Sequence, residues 1–162
     1  MVKVVDLKRR HAVTSSGDYI MVTYEGFDFP EDLFYTDDQV WISKLDDGKV
    51  RLGFTSFGMS LAGMIKFVRL RPAGKKIAVG RSIGTLESGK WTGPIKSPVS
   101  GTITEVNEAL KDNPSLLNDD AYGAGWIAVI EPDDFEGEKG ALQGADGLED
   151  WVKAQYAEKK TE

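Results

Sequence analysis

Lys90 stands at the midpoint of a segment that is nearly symmetric about it. Gly80-Arg81-Ser82-Ile83-Gly84-Thr85-Leu86-Glu87-Ser88-Gly89 leads in, and Trp91-Thr92-Gly93-Pro94-Ile95-Lys96-Ser97-Pro98-Val99-Ser100-Gly101 leads away. Each flank is a strand-like run bounded by a glycine. The middle, Ser88 to Pro94, has turn chemistry: two glycines that tolerate positive φ and a proline expected to end ladder pairing. The pattern predicts a hairpin with Lys90 at its apex. A cation held out at a tight turn on a rigid β scaffold suits a lysine that another protein must find and modify.

The rest of the chain supplies further short strands. Tyr19–Tyr24 alternates and reads as a strand at a sheet edge. Lys8-Arg9-Arg10-His11 is most simply a solvated loop, or else a contact for an acidic partner. Phe27–Pro30 reads as a connector. Leu33–Thr36 and Val40–Ser43 are β-type runs. Asp46-Asp47-Gly48 turns the chain into Lys49–Phe54, whose alternation puts Val50, Leu52 and Phe54 on one face. Thr55 or Ser56 caps a short helix over 57–62 that ends at Gly63.

Beyond that helix, Met64–Leu70 alternates again, with Ile65, Phe67 and Val68 or Leu70 as core candidates. After the hairpin come a strand over Thr102–Val106, two helical turns at Asn107–Leu110 and Pro114–Leu117, and a last strand over Trp126–Ile130. Glu131–Gly147 is acidic and glycine-rich and reads as a loop. Leu148, Trp151, Val152, Gln155 and Tyr156 then fall on one helical stripe, predicting a helix from 146 or 147 to Ala157. Its apolar side should dock on the barrel or on a partner. The sum is a mainly β domain with small peripheral helices and a C-terminal helix.

Composition removes several chemistries. With no cysteine among 162 residues there is no disulfide, thiolate metal site or cysteine nucleophile, so sulfur redox chemistry requires a prosthetic group. A single histidine, His11, argues against serine–histidine catalysis and histidine-rich metal sites. A net charge of -6 argues against general nucleic-acid binding. No apolar run has the length of a membrane span and no signal-peptide pattern opens the chain, so a cytoplasmic location is expected.

From Tyr35 to about Asp133 the chain resembles the glycine cleavage H-protein family. The resemblance rests on an ordered set of blocks: Tyr35-Thr36, Trp41, Leu52-Gly53-Phe54-Thr55, Gly63 with Phe67-Val68, Gly74-Lys75-Lys76, Glu87-Ser88-Gly89-Lys90, Ser97-Pro98-Val99-Ser100-Gly101, Val106–Leu110, Asp112-Asn113-Pro114 and Tyr122 to Trp126. It implies a hybrid barrel-sandwich of the lipoyl type and a non-catalytic carrier. It also implies lipoate amide-linked to Lys90, with Glu87, Ser88, Gly89 and Trp91 read by a lipoate ligase or lipoyl transferase. The dithiolane would bring the thiol chemistry that the polypeptide lacks. On this reading residues 1–30 form an extension, 31–134 the carrier domain, and 135–162 an acidic loop with the C-terminal helix.

The departures bear on the cargo. Family members usually carry His-Glu before the tryptophan matching Trp41; here Gln39 and Val40 stand there. Trp91-Thr92-Gly93-Pro94 replaces the usual residues after the lysine, and Met64 replaces an acidic residue. These changes are expected to strip amine-binding carboxylates from around the arm. The tip and the N-terminal extension are more similar to the lipoate-binding proteins of sulfur oxidation, which work with a heterodisulfide-reductase-like complex. That resemblance implies sulfur intermediates as cargo, with dihydrolipoamide dehydrogenase a further partner.

The alternatives are an aminomethyl carrier serving glycine decarboxylase and aminomethyl transferase, and an unmodified interaction module. A biotin carrier is disfavoured because methionines normally bracket its lysine. Trp91 either clamps the hairpin or shields the arm and marks the carrier for a partner. Trp41 and Trp126 are core candidates.

Overall fold

The structure is a computed structural model that describes residues 2–4, 8–14 and 17–160, with side chains from Met21 onward. Three antiparallel sheets are present among them. The N-terminal sheet runs β1 (Val2–Val4), β2 (Lys8–Thr14), β3 (Gly17–Tyr24), β4 (Phe27–Pro30). A six-stranded sheet has the order β5 (Phe34–Tyr35), β6 (Val40–Lys44), β7 (Val50–Phe54), β13 (Ala128–Pro132), β12 (Gly101–Val106), β9 (Lys76–Ile77). A three-stranded sheet has the order β11 (Thr92–Lys96), β10 (Ser82–Ser88), β8 (Ile65–Leu70). The helices are α1 (Ser56–Ala62), α2 (Ala109–Asp112), α3 (Leu116–Asp119), α4 (Phe135–Glu138) and α5 (Leu148–Lys160).

The six- and three-stranded sheets close over one core. Val40, Ile42, Val50 and Leu52 from the former meet Ile65, Ile83, Leu86 and Ile95 from the latter. Period-two patterning builds this face: Val50, Leu52 and Phe54 are buried, whereas Arg51 points outward and stacks on Trp126 at 5.2 Å. Thr55 caps α1 as expected, its hydroxyl accepting the Gly58 N–H at 2.9 Å, and Gly63 ends the helix with φ +87°. The expected mainly β barrel-sandwich with peripheral helices is therefore the fold.

Several local expectations are corrected. The basic cluster 8–11 is part of strand β2, paired on both sides, because ladder hydrogen bonds are made by backbone and do not depend on charged side chains. Phe27–Pro30 is strand β4, not a connector, and buries Phe29. Phe67 is 63% exposed and not core. Opposite the step from Glu87 to Ser88, β8 advances from Phe67 to Ile65, so Lys66 is an extra residue that keeps Ile65 inside and turns Phe67 out. The expected loop 131–147 contains α4 and a 3-10 turn at Lys139–Ala141, with Phe135 packed into the core and Asp134 capping Gly137 N–H. The last strand begins at Ala128, and α5 runs on to Lys160.

A second cluster joins the N-terminal sheet to α5. Val22, Phe29, Tyr35, Trp41 and Phe57 surround Leu148 and Val152 of the helix. Tyr156 stacks on Phe57 at 5.5 Å and meets Tyr24 edge-on at 5.3 Å. Trp41 is core, as expected, its indole N–H donating to the Ala121 carbonyl at 3.0 Å. Trp126 is only half-buried and precedes β13 rather than lying within it.

Tyr35 is fully buried, and its hydroxyl donates to the Pro30 carbonyl at 2.6 Å. Burial above all, reinforced by Tyr122, Asp32 and Glu31, raises its ionisation well above the usual tyrosine range. The unfolded chain releases this proton near pH ~10 while the folded chain holds it, so stability falls as pH rises past that point. Denaturant midpoints should decline from about pH 10 upward. Tyr35→Phe should lose about 1 kcal/mol at neutral pH for the missing hydrogen bond and decline less steeply in alkali.

Candidate functional site at the hairpin tip

Strands β10 and β11 pair up to Glu87 with Thr92, and Ser88 N–H then donates to the Trp91 carbonyl at 2.7 Å. Only Gly89 and Lys90 remain in the loop, the shortest common hairpin connection. Ser88 is buried and holds this turn from within. Its hydroxyl accepts the Lys90 N–H at 3.3 Å and donates to the Trp91 carbonyl at 3.3 Å. Lys90 is exposed at the apex, as the sequence symmetry predicts. Glu87 is exposed beside it, and Gly89 is open to solvent.

The turn glycines act differently from expectation. Neither Gly89 nor Gly93 has positive φ. Gly93 is required for space: a Cβ there would run into the Trp91 ring, which lies over it. Trp91 is thus a clamp on the hairpin, and at 41% exposure it also forms part of the cleft beside the lysine. Pro94 does not end the ladder but lies within β11 opposite Thr85, allowed because β11 is an edge strand.

Beneath the lysine lies the end of α1. A Cβ on Gly63 would sit 3.1 Å from Lys90 Cε, so the side chain rests on a bare backbone shelf. Asn118 on α3 fixes that shelf, its amide donating to the Gly63 carbonyl at 2.9 Å and its carbonyl accepting the Ile65 N–H at 3.0 Å. Next to the shelf opens a cleft of about 650 Å³ with Phe54, Met59, Leu61 and Ala62 on its apolar side and Asp37, Asp38, Gln39, Lys159 and Lys160 on its polar side. An apolar wall beside an extended lysine fits a medium-length acyl arm folded back from the tip.

The Gln39–Val40 pair behaves in two ways. Val40 is buried in the main core. Gln39 has φ +68°, rare for a residue with a side chain, and is buried in a polar chain. Its carbonyl oxygen accepts from Thr55 Oγ1 at 2.7 Å and its amide donates to Gln155 Oε1 at 3.0 Å. Gln155 in turn donates to Asp37 Oδ1 at 3.3 Å, where Trp151 Nε1 also donates at 2.9 Å. Asp37 and Asp38 line the cleft, at positions other than those where the chain departs from its relatives, and Asp37 is held by α5.

Fold and site together define the lipoyl-carrier class: a β barrel-sandwich that presents a lysine at a hairpin tip. The profile "Glycine cleavage H-protein" matches residues 33–155, and the chain belongs to that family. Members are carriers, not catalysts, and hold lipoate covalently on a lysine. The chain is 43% identical over 114 residues to glycine cleavage system H protein 2 of Aquifex aeolicus, covering 70% of this chain and 71% of that one. It is 47% identical over 104 residues to the H protein of Coprothermobacter proteolyticus, covering 64% and 82%. The crystal structure of the Mycobacterium marinum H protein superposes with a TM-score of 0.67 at 35% identity, covering 76% of this chain and 98% of that one.

The hairpin brings Glu87, Ser88, Gly89, Lys90 and Trp91 together as the sequence predicts. Gln39, Asp37, Asn118, Met59 and the α5 lysines were not foreseen as site residues. Gly63 was legible as a helix stop and as part of the family resemblance, not as the lysine's resting place. Gln39→Ala should leave the Gln155 carbonyl without its donor and cost about 1–3 kcal/mol. Hydrogen exchange should show faster opening of α5 than in the parent.

Proposed function

We propose that this chain is a lipoyl carrier whose arm is anchored on Lys90 and delivers its cargo between enzyme active sites. The observation that carries the reading is the exposed lysine on a two-residue turn above an open cleft. The arm supplies reversible thiol–disulfide chemistry, and the tether supplies effective concentration at each partner. Within this reading residues 31–134 are the carrier domain, flanked by the 1–30 extension and the 135–162 tail. Glu87, Ser88, Gly89 and Trp91 are the residues that a lipoate ligase or lipoyl transferase reads. No helix among the described residues is long and apolar enough to cross a membrane, in keeping with a cytoplasmic carrier.

Two cargoes divide the support. The relatives' names speak for the aminomethyl group, with glycine decarboxylase and aminomethyl transferase as partners. Asp38 in the cleft is compatible with an amine.

The chain's own substitutions speak for sulfur intermediates, exchanged with a heterodisulfide-reductase-like complex and dihydrolipoamide dehydrogenase. Val40 is an apolar core residue where the family usually has glutamate, and Asp37 is engaged by Trp151 and Gln155. Met59 and Trp91 offer polarizable walls, and Lys159 and Lys160 bring positive charge to the rim.

Intact mass of protein from native cells should show one lipoyl group, mapped to Lys90 by peptide analysis. Lys90→Arg should carry none; retention of the group by that variant refutes the site, and a bare wild-type lysine refutes the carrier. Incubating the lipoylated protein with glycine decarboxylase, glycine and aminomethyl transferase separates the cargoes. Stoichiometric methylamine loading establishes the aminomethyl reading, and its absence with a competent control carrier favours sulfur.

A further inference from the structure

We propose that the exposed surface where β8 lies beside the hairpin tip, built on Phe67 with Met64 and Glu87 and outside the cleft lining, is the seat of the enzyme that acylates Lys90. This rests on the lipoyl-carrier reading and adds a docking surface to it.

Four large apolar side chains stand exposed among the described residues: Met64 at 51%, Phe67 at 63%, Val79 at 51% and Trp91 at 41%. Isolated apolar residues are ordinary on a surface, but three of these four lie at the tip end of the hairpin that carries the lysine. Trp91 follows it in the chain on the cleft side. Met64 follows Gly63, the shelf on which the lysine rests. Phe67 lies across from Glu87 on β8, and Glu87 lies across from Thr92 on β11, so these three form one exposed row just below the tip. The fourth, Val79, sits at the far end of the hairpin, where its N–H donates to Ser100 Oγ. The Lys66 bulge is what turns Phe67 outward while Ile65 stays in the core.

The reach of the reacting atom identifies the occupant. In acylation the Nζ lone pair forms the amide with the lipoyl carboxyl carbon. The bond from that carbon to the activating phosphate breaks, AMP leaves and the amine proton passes to solvent. Before the arm exists, Nζ stands only on the order of 6 Å from its own Cα by standard bond lengths. An enzyme that brings an activated lipoyl group to that atom must press against the shoulders of the tip. Enzymes that meet the finished arm can stay further away. The acylating enzyme therefore covers Phe67 with an apolar socket and sets a basic group against Glu87. The exposed Lys66 and Arg69 on either side of Phe67 call for an acidic rim, which fixes orientation.

Initial rates of lipoyl incorporation, measured with a purified lipoate ligase, lipoate and ATP on the unmodified full chain, test this. Phe67→Ser should raise KM for the carrier about tenfold with kcat nearly unchanged, as loss of an interface anchor does. Met64→Ser should act in the same direction more weakly, Phe67→Leu should recover most of the loss, and Val79→Ser should match the parent. Thermal unfolding of Phe67→Ser should also match the parent, because the ring is exposed. A Phe67→Ser protein labelled within about twofold of the parent overturns the docking surface alone, as does an equal loss in Val79→Ser. A parent that takes up no lipoyl group overturns both this surface and the carrier reading.

Discussion

The inward row of the hairpin holds everything the site needs. Ile83 and Leu86 on β10 and Ile95 on β11 are buried in the shared core, and Gly93 between them lets the Trp91 ring lie flat. Removing apolar side chains of this size from water contributes roughly 1.5–3 kcal/mol each. The tip is thus the end of a packed ladder, not a free loop. Ser88 then closes the turn with bonds to Lys90 and Trp91. On such a mount the backbone of the lysine is fixed, and its freedom is confined to its own rotatable bonds.

The second organising contact is polar and runs from the cleft into the C-terminal helix. Thr55, Gln39, Gln155 and Asp37 form a hydrogen-bonded chain that joins the α1 cap, the turn before β6 and the inner face of α5. Buried amides cost stability unless both ends are satisfied, and here each amide meets a partner. The aromatic contacts of Tyr24, Phe57 and Tyr156 hold the same helix against the N-terminal sheet. The helix that brings Lys159 and Lys160 to the rim is therefore fixed by residues far from the tip in sequence.

The sequence was most readable where geometry is local. The Asp46-Asp47-Gly48 turn, the Thr55 cap and the α5 stripe depend on neighbours a few residues apart and formed as their patterns require. The hairpin placed Lys90 at its apex, although its glycines and Pro94 play other parts than their chemistry suggested. Phe67 was misread because alternation alone places it with Ile65; only pairing with β10 reveals the extra residue. The strand at 8–14 was misread because its charges suggested solvent while its backbone had a partner in β3. Gln39 and Asn118 gave no local signal, since their partners lie 116 and 55 residues away. Sites assembled by such long-range bonds become legible only when the chain is folded.

Gly63 ends α1 at φ +87° and ψ -174°, a backbone region essentially closed to residues with a side chain. A Cβ added there would also press within 3.1 Å of Lys90 Cε. An asparagine, the usual substitute at helix ends, is strained by these dihedral angles and would push the lysine side chain aside. Helix termination and the resting place of the Lys90 side chain thus meet at one backbone position without a Cβ, and a mutation there disturbs both.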